Sequence, residues 1–271
     1  MCVKWLGTAG FELRHGEHVV LIDPYLTRAP LARCVLGRVA PDRARIARHV
    51  ARADAIVVGH THFDHVLDVP AIARSTGALV LGSRSAVRLC RAAGIPETQL
   101  RDVERAPGAD PAVVEVGPFL LRFAPSAHSR LVLGRVPFAG EITDCDEVPS
   151  RVSAFRCGAV FRVEIEVAGR RIVHLGSAEL VESSAKRAGH VDLLLLCAAG
   201  WTKSVDLPER VARALSPERI LLSHWDDYFR SLDLPARPLP ALRMQRLFDR
   251  LGAATREAAI GVVPLLAEVA L

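Results

Sequence analysis

Three histidines and one aspartate lie within six consecutive residues of the segment VVGHTHFDH, at His60, His62, Asp64 and His65. Imidazole nitrogens and carboxylate oxygens are ligands that zinc, manganese and iron accept, and several of them meeting at one ion offset the cost of desolvating it. A metal-free, histidine-rich turn is the alternative interpretation. The buried-type run AIVVG leads directly into the cluster, so the pattern favours a metal site at the end of a strand.

The first two histidines of this cluster occupy alternating positions, so both side chains project from one side of an extended segment. Asp64 and His65 follow round the turn, and this geometry can supply two adjacent metal positions. Further ligands must come from elsewhere in the chain. His128 follows the apolar run FLLRFA, and His224 follows RILL. Each lies where a buried strand should end, which is where binding sites gather in layered α/β folds.

Short apolar runs that are typical of strands alternate with amphipathic segments along both halves of the chain. Helices are predicted at 67–75, 83–93, 179–188, 207–215 and 240–251. The segments FELRHGEHVVLID and VEIEVAGRRIVHL read as hairpins, the second with Ala168 and Gly169 in its turn. Antiparallel hairpins together with crossovers favour a four-layer αββα sandwich over a doubly wound sheet. We expect a single α/β domain over residues 1–271.

Two segments, 24–41 and 129–156, are predicted to be irregular and are longer than ordinary connections. Their apolar residues argue against disorder. A lid, a substrate wall and a subunit contact are the open alternatives for them.

The formal net charge of +5 and the pI of about 9.1 come mostly from dispersed arginines. Without a compact basic block, this pattern favours an anionic small molecule over a nucleic acid as the partner. Lys203 and Arg28 are candidates for binding an anion, with an ordinary surface position as the favoured alternative. Asp226 and Asp227 could orient His224 or contact a substrate hydroxyl, although a solvated acidic turn is favoured.

The cysteines show no CxxC pair and no dense framework, so we expect reduced, partly buried thiols. They are Cys2, Cys34, Cys90, Cys145, Cys157 and Cys197. The first residues lack the apolar stretch of a signal peptide, and no apolar run approaches the roughly 20 residues that span a bilayer. A cytoplasmic location and no transmembrane segment are therefore predicted.

The motifs WLGTAGFEL, LIDPYL, HTHFDH, His128, HLGSAEL and SHWDDYF occur in an order that resembles the metallo-β-lactamase superfamily of metal-dependent hydrolases. The order is most similar to the branch of ascorbate-phosphate lactonases and N-acylphosphatidylethanolamine phospholipase D-like enzymes. The resemblance runs from residue 5 to about residue 229. Its HxHxDH core is highly specific, and the flanking motifs are individually weak. The resemblance implies the metallo-β-lactamase fold.

The resemblance also implies residue roles. It assigns His60, His62 and His128 to a first metal and Asp64, His65 and His224 to a second. Asp23 matches a structural aspartate that supports the histidine loop. Zinc is expected, with manganese or iron as alternatives. Asp64 is the expected catalytic base, and His224 is expected to bind metal and, if the second metal is missing, also to face the substrate.

The sequence departs from the superfamily at Ser177. A Gly-Asp pair, whose aspartate bridges both metals, is usual where this chain has Gly176 and Ser177. Two divalent ions about 4 Å apart repel by roughly 17 kcal/mol at a dielectric constant of 20, an upper bound that anionic ligands must offset. We therefore expect one tight metal site and a second that is weak or empty. Glu179 could substitute for the missing carboxylate, or it could simply begin a helix.

The favoured function is a metal-dependent hydrolase of an ester, lactone, amide or phosphodiester bond in a small or lipid-like molecule. One alternative is a metal-holding or ligand-binding protein that lacks turnover. Another is a mononuclear iron oxygenase, which needs two histidines and a carboxylate. By resemblance that carboxylate would lie at Ser177, which argues against this alternative. The sequence specifies neither the substrate nor the oligomeric state.

Overall fold

The computed structural model describes residues 1–143, 147–185, 190–255 and 257–271. Within these ranges the chain forms two mixed sheets of seven strands each, with helices on their outer faces. Most of the first sheet is built from the first 102 residues. The last strand of the described chain returns to its edge.

The first sheet contains β1 (Cys2–Gly7), β2 (Gly10–His15), β3 (His18–Ile22), β4 (Ala55–Val57), β5 (Leu79–Gly82), β6 (Leu100–Asp102) and β14 (Glu268–Ala270). Their order across the sheet is β14-β1-β2-β3-β4-β5-β6. The strands from β14 to β3 pair antiparallel, and those from β3 to β6 pair parallel. The predicted first hairpin is β2–β3, in which His15 pairs with His18.

The second sheet contains β7 (Ala112–Val116), β8 (Phe119–Pro125), β9 (Phe161–Val167), β10 (Arg170–Leu175), β11 (Val191–Cys197), β12 (Pro217–Ser223) and β13 (Ala259–Val262). Their order follows the sequence, antiparallel up to β10 and parallel from there to β13. The predicted second hairpin is β9–β10. Ala168 and Gly169 have φ angles of +52° and +72° in its turn, the left-handed pair that a tight hairpin requires.

The helices are α1 (Leu31–Leu36), α2 (Arg43–His49), α3 (Phe63–Val66), α4 (Val69–Thr76), α5 (Arg84–Ala92), α6 (Glu182–Ala185), α7 (Leu207–Leu215) and α8 (Met244–Thr255). Three predicted helices correspond to α4, α5 and α7. The helix predicted from residue 240 begins later, because Ala241 and Arg243 have left-handed φ angles that a helix excludes. The helix predicted over 179–188 begins only at Glu182, and 186–189 lie outside the described residues.

Alternate side chains of the buried strands enter different cores. In β11, Leu193 and Leu195 lie in the core between the two sheets, whereas Leu194 and Leu196 pack in the core under α7 and α8. A third core lies between the first sheet and its helices, where Ile56 meets residues of α4 and α5. The order helix, sheet, sheet, helix confirms the predicted four-layer αββα sandwich.

The first long segment is not wholly irregular, because it contains α1, none of whose residues is buried. The second includes residues 144–146, and with them Cys145, outside the described part of the chain. The other five cysteines form no disulfide, and three of them are buried. In the described residues, none of the helices combines the length and the apolar character that a membrane span requires.

Candidate metal centre

The six predicted ligands lie at the ends of three strands, in loops that face one another across the two sheets. The HTHFDH segment follows β4 of the first sheet and continues into α3. In the second sheet, His128 follows β8 and His224 follows β12 directly. Because β8, β10 and β12 point in the same direction, their carboxyl ends share one edge of that sheet. The ligands therefore come from distant parts of the chain to one place.

His60, His62 and His128 form the first group, called here the first triad, in which one ring nitrogen of each lies within 4.8 Å of the others. His62 Nε2 donates to the Pro137 carbonyl at 2.8 Å, and His128 Nδ1 donates to the Ser129 carbonyl at 2.7 Å. Because a carbonyl oxygen only accepts, each of these two rings keeps its other nitrogen unprotonated and able to bind a cation.

Asp64, His65 and His224 form the second triad, whose ligand atoms also lie within 4.8 Å of one another. Asp64 Oδ2 lies 3.2 Å from His224 Nε2 and 4.0 Å from His65 Nε2. The two triads are adjacent, since the ring centroids of His60 and His65 are 3.8 Å apart. The arrangement offers two neighbouring positions for cations.

Asp23 lies behind the histidine loop with a fully buried carboxylate. Its Oδ2 accepts from His65 Nδ1 at 2.9 Å, and its Oδ1 accepts from the Gly59 amide at 2.6 Å. A Cβ at Gly59 or at Gly176 would lie 2.8 Å from Asp23 Oδ2. Glycine at both positions therefore makes room for the carboxylate that fixes the tautomer of His65.

The position of His224 is fixed by its own backbone and by Asp226, which acts through Thr8. The φ of His224 is +54°, and its amide donates to the Thr8 carbonyl at 2.7 Å. The Thr8 amide donates to Asp226 Oδ1 at 3.0 Å, and Arg28 Nη2 donates to Asp226 Oδ2 at 2.6 Å. The side chains of Arg28 and Asp226 are 1% and 2% exposed. The expectation of surface positions was therefore wrong for both, because each neutralises the other inside the protein.

Ser177 lies beside the first triad and acts on it through the backbone. Its Oγ accepts from the Ser129 amide at 3.2 Å, and the Ser129 carbonyl in turn accepts from His128. Glu179 points elsewhere, since its carboxylate accepts from Arg210 Nη1 at 2.8 Å. Glu179 is therefore engaged by an arginine and does not take the place of the missing carboxylate.

The histidines of the first triad are held in the neutral form. Burial, followed by the neighbouring imidazoles, lowers the pKa of His60, and burial lowers the pKa of His128 to about 3. Burial would also lower the pKa of His65, but Asp23 and Asp64 raise it overall. Burial would raise the pKa of Asp64, yet the nearby histidines lower it, so this carboxylate stays ionised.

The residues present fit a divalent cation. Ring nitrogens converge, as where His60 Nε2 and His62 Nδ1 lie 3.1 Å apart. Lone pairs that face one another repel unless a proton or a cation lies between them. Imidazole with a single carboxylate suits zinc, iron or manganese better than it suits calcium or magnesium.

A cavity of about 450 Å³ opens beside the ligands. It is lined by members of both triads, by Ser177 and by Tyr228, whose ring lies edge-on to His224 at 5.2 Å. His174 lies outside both triads, fully buried, and its Nε2 donates to the Ala9 carbonyl at 2.9 Å.

A family profile described as a beta-lactamase superfamily domain matches residues 18–225. A curated protein of Rhizobium meliloti (strain 1021), named UPF0173 metal-dependent hydrolase, is 32% identical over 129 residues, or 48% of each chain. The chain thus spans about half the length of this curated relative.

Two solved structures have a similar fold. Igni18, described as a metallo hydrolase from Ignicoccus hospitalis KIN4/I, matches with a TM-score of 0.64 and 17% identity over 99% of this chain and 98% of that one. CmlA, a diiron beta-hydroxylase from Streptomyces venezuelae, matches with a TM-score of 0.61 and 15% identity over 100% of this chain and 54% of that one. Likeness at such low identity shows the fold alone.

Proposed function

This chain belongs to the β-lactamase superfamily, and from that premise we propose that it is a metal-dependent hydrolase. Its reaction would cleave an ester, lactone, amide or phosphodiester bond in a small or lipid-like molecule. The observation that carries the proposal is the convergence of two ligand triads at the wall of one cavity. The name of the curated relative, a metal-dependent hydrolase, supports the same class of activity.

Both triads have proposed roles. His60, His62 and His128 would hold a first ion, and Asp64, His65 and His224 a second. We propose zinc, with manganese or iron as alternatives, because imidazole and carboxylate ligands suit all three. When bound, such an ion supplies Lewis acidity and lowers the pKa of the water that it coordinates. One ion is held tightly and the other weakly, since Ser177 brings no negative charge between them.

Asp64 is the proposed proton carrier. It lines the cavity, and nearby histidines keep its carboxylate ionised against the effect of burial. An ionised carboxylate at this place accepts a proton from the attacking water at Oδ2 and delivers it to the leaving group. His224, 3.2 Å from the same oxygen, orients that carboxylate and faces the substrate.

A specific observation favours one second candidate, an iron-dependent oxygenase. The second triad consists of two histidines and one carboxylate, which is the ligand set of many non-haem iron(II) oxygenases. The carboxylate is Asp64, so the serine at position 177 does not exclude this ligand set. Iron content and oxygen consumption in the presence of iron(II) distinguish this candidate from a hydrolase.

The test is a panel of generic esters, lactones, amides and phosphodiesters, offered to metal-stripped protein after zinc, manganese or iron is added back. We expect hydrolysis of at least one class with at least one metal, and its loss in the His62→Ala variant. Inactivity with every combination would contradict the proposal and favour a metal-holding protein without turnover. Oxygen uptake without hydrolysis would favour the iron oxygenase.

A further inference from the structure

From the lining of the cavity beside the triads, we infer that it binds amphiphilic carboxylates, in which an apolar body of several carbons carries one anionic group. This inference deepens the proposed function, because it names the class of molecule that the site accepts. Only the turnover of such a molecule rests on the proposed function, since its binding can be measured without any reaction.

Large apolar side chains line the cavity beside the triads. They include Leu131, Val132, Phe138, Trp201, Leu239 and Leu242. The volume of about 450 Å³ lies in the range of pockets for small ligands. A polar substrate body would lose its hydration against such walls without gaining hydrogen bonds, so the walls favour hydrocarbon.

The charges on the cavity wall favour an anion. Among the described lining residues, Asp64 is the only carboxylate, and it belongs to the second triad. Lys203 is the only lysine or arginine of that lining. Outside the triads, a negative group on the ligand therefore meets one positive side chain in this lining, whereas a positive group meets no carboxylate.

Lys203 is exposed, and its ammonium has no ion pair or hydrogen bond with any residue in the described part of the chain. Its amide donates to the Gly200 carbonyl at 2.8 Å, within a short turn that follows β11. Nearby cations differ from it, since Arg210 is paired with Glu179 and Glu182. Within the described part of the chain, the turn therefore presents a positive charge without an ion-pair partner beside the cavity.

The apolar lining and Lys203 contribute differently to the affinity for a ligand. Each methylene that is buried contributes about fourfold in affinity. An exposed ion pair contributes only a few-fold. The length of the apolar body therefore sets the affinity, and Lys203 decides between an anionic and a neutral end group.

The test is calorimetric titration of the zinc-loaded full chain with acetate, octanoate, octan-1-ol and octylammonium. We expect octanoate to bind at least about 100-fold more tightly than acetate. We also expect it to bind a few-fold more tightly than octan-1-ol, with octylammonium weakest. Equal affinity for octanoate and octan-1-ol, or no binding of any eight-carbon probe, would overturn the inference.

Substitutions show whether Lys203 or the triads bind the anionic group of the ligand. In Lys203→Gln, octanoate should lose its advantage over octan-1-ol, while binding of octan-1-ol is unchanged. The matched control Lys4→Gln, on β1, should change neither. In Leu131→Asn, octanoate and octan-1-ol should weaken by the same factor. If octanoate keeps its full advantage in Lys203→Gln, the triads hold the carboxylate and the inference fails, whether or not the protein proves to be a hydrolase.

Discussion

The first triad is held by nearby backbone carbonyls, whereas the second is held by buried carboxylates. His62 and His128 donate to the carbonyls of Pro137 and Ser129. His65 instead donates to Asp23, and the position of His224 depends on Asp226 through Thr8. A backbone carbonyl persists when a side chain is substituted, so the first triad should tolerate substitutions at its supporting positions. The second triad depends on side-chain carboxylates, so it should not.

The triads also differ in charge. The first consists of neutral imidazoles, and the second includes the ionised Asp64. Among the described residues, no carboxylate other than Asp64 joins either group, and the Ser177 hydroxyl accepts from the backbone beside His128. Ser177 therefore supports the first triad and adds no negative charge to the second.

The largest effect is expected for Asp64→Asn. Removing the carboxylate removes the proton carrier, so turnover of a substrate found by the panel should fall by about 10²- to 10⁴-fold. The first triad is intact, so one metal per chain should remain by elemental analysis. Asp227→Asn is the neighbouring control, because its carboxylate lies outside both triads. Full activity of Asp64→Asn would reject the assignment.

Breaking the buried ion pair of Arg28 and Asp226 should weaken metal binding at the second triad but not at the first. Arg28→Met leaves Asp226 buried without its partner, so the free energy of unfolding should fall by about 3–5 kcal/mol. Affinity for the second metal should fall by about 10- to 100-fold, with the first unchanged. Urea unfolding measures the change in stability, and cobalt titration measures the two metal affinities.

Arg162→Met is the matched control for that variant. The side chain of Arg162 is 1% exposed and donates to Glu164 at 2.5 Å, in β9. Its loss should lower stability comparably while leaving both metal affinities unchanged. Equal effects of the two variants on the second metal would show that general destabilisation, rather than the position of His224, is the cause.

Ser177→Asp should bring the two triads closer in metal affinity. One carboxylate about 4 Å from a cation contributes about 4 kcal/mol per unit charge at a dielectric constant of 20, before the cost of its own burial. We therefore expect the second metal to bind at least about tenfold more tightly. Ser177→Asn, which adds no charge, should not have this effect. If the unmodified protein already keeps two metals after dialysis against a weak chelator, the role given to Ser177 is wrong.

The smallest expected effect is the pH dependence of stability that the histidines of the first triad cause. Burial lowers the pKa of His60, His62 and His128, so these rings stay neutral in the folded chain while unfolded histidines titrate near 6.5. The unfolded state then binds more protons below that pH. Stability of the metal-free protein should therefore be complete above pH 6.5 and fall as the pH drops toward 3.

Urea unfolding with a chelator at pH 7 and pH 5.5 measures this loss, which should be about 1 kcal/mol for each such histidine. The raised pKa of His65 offsets part of it. His128→Gln should show a shallower dependence on pH. An unchanged dependence in that variant would contradict the neutral state of His128.

The fold was largely predictable from local patterns. Alternating apolar residues and the Ala168-Gly169 turn predicted the hairpins, and apolar runs placed His128 and His224 at strand ends. Helix ends were less predictable, since the left-handed residues before α8 depend on tertiary contacts. The single domain over residues 1–271, the cytoplasmic location and the branch within the superfamily stay predictions.

The support of the site was only partly predictable. Asp23 was expected from the resemblance, whereas Arg28 and Asp226 form an ion pair across 198 positions, and no spacing rule indicates such a contact. The role of Thr8 rests on its backbone, so its side-chain type gave no signal. Ser177 could be identified as a departure, but its hydrogen bond to Ser129 required the structure.

The most direct test of the metal centre is an anomalous difference map, recorded at the zinc edge from crystals of the zinc-loaded protein. We expect a strong peak within about 2.1 Å of the ring nitrogens of His60, His62 and His128. We expect a weaker peak, or none, among Asp64, His65 and His224. A map without a peak at the first triad, or with two equally strong peaks, would contradict a centre with one tight metal site.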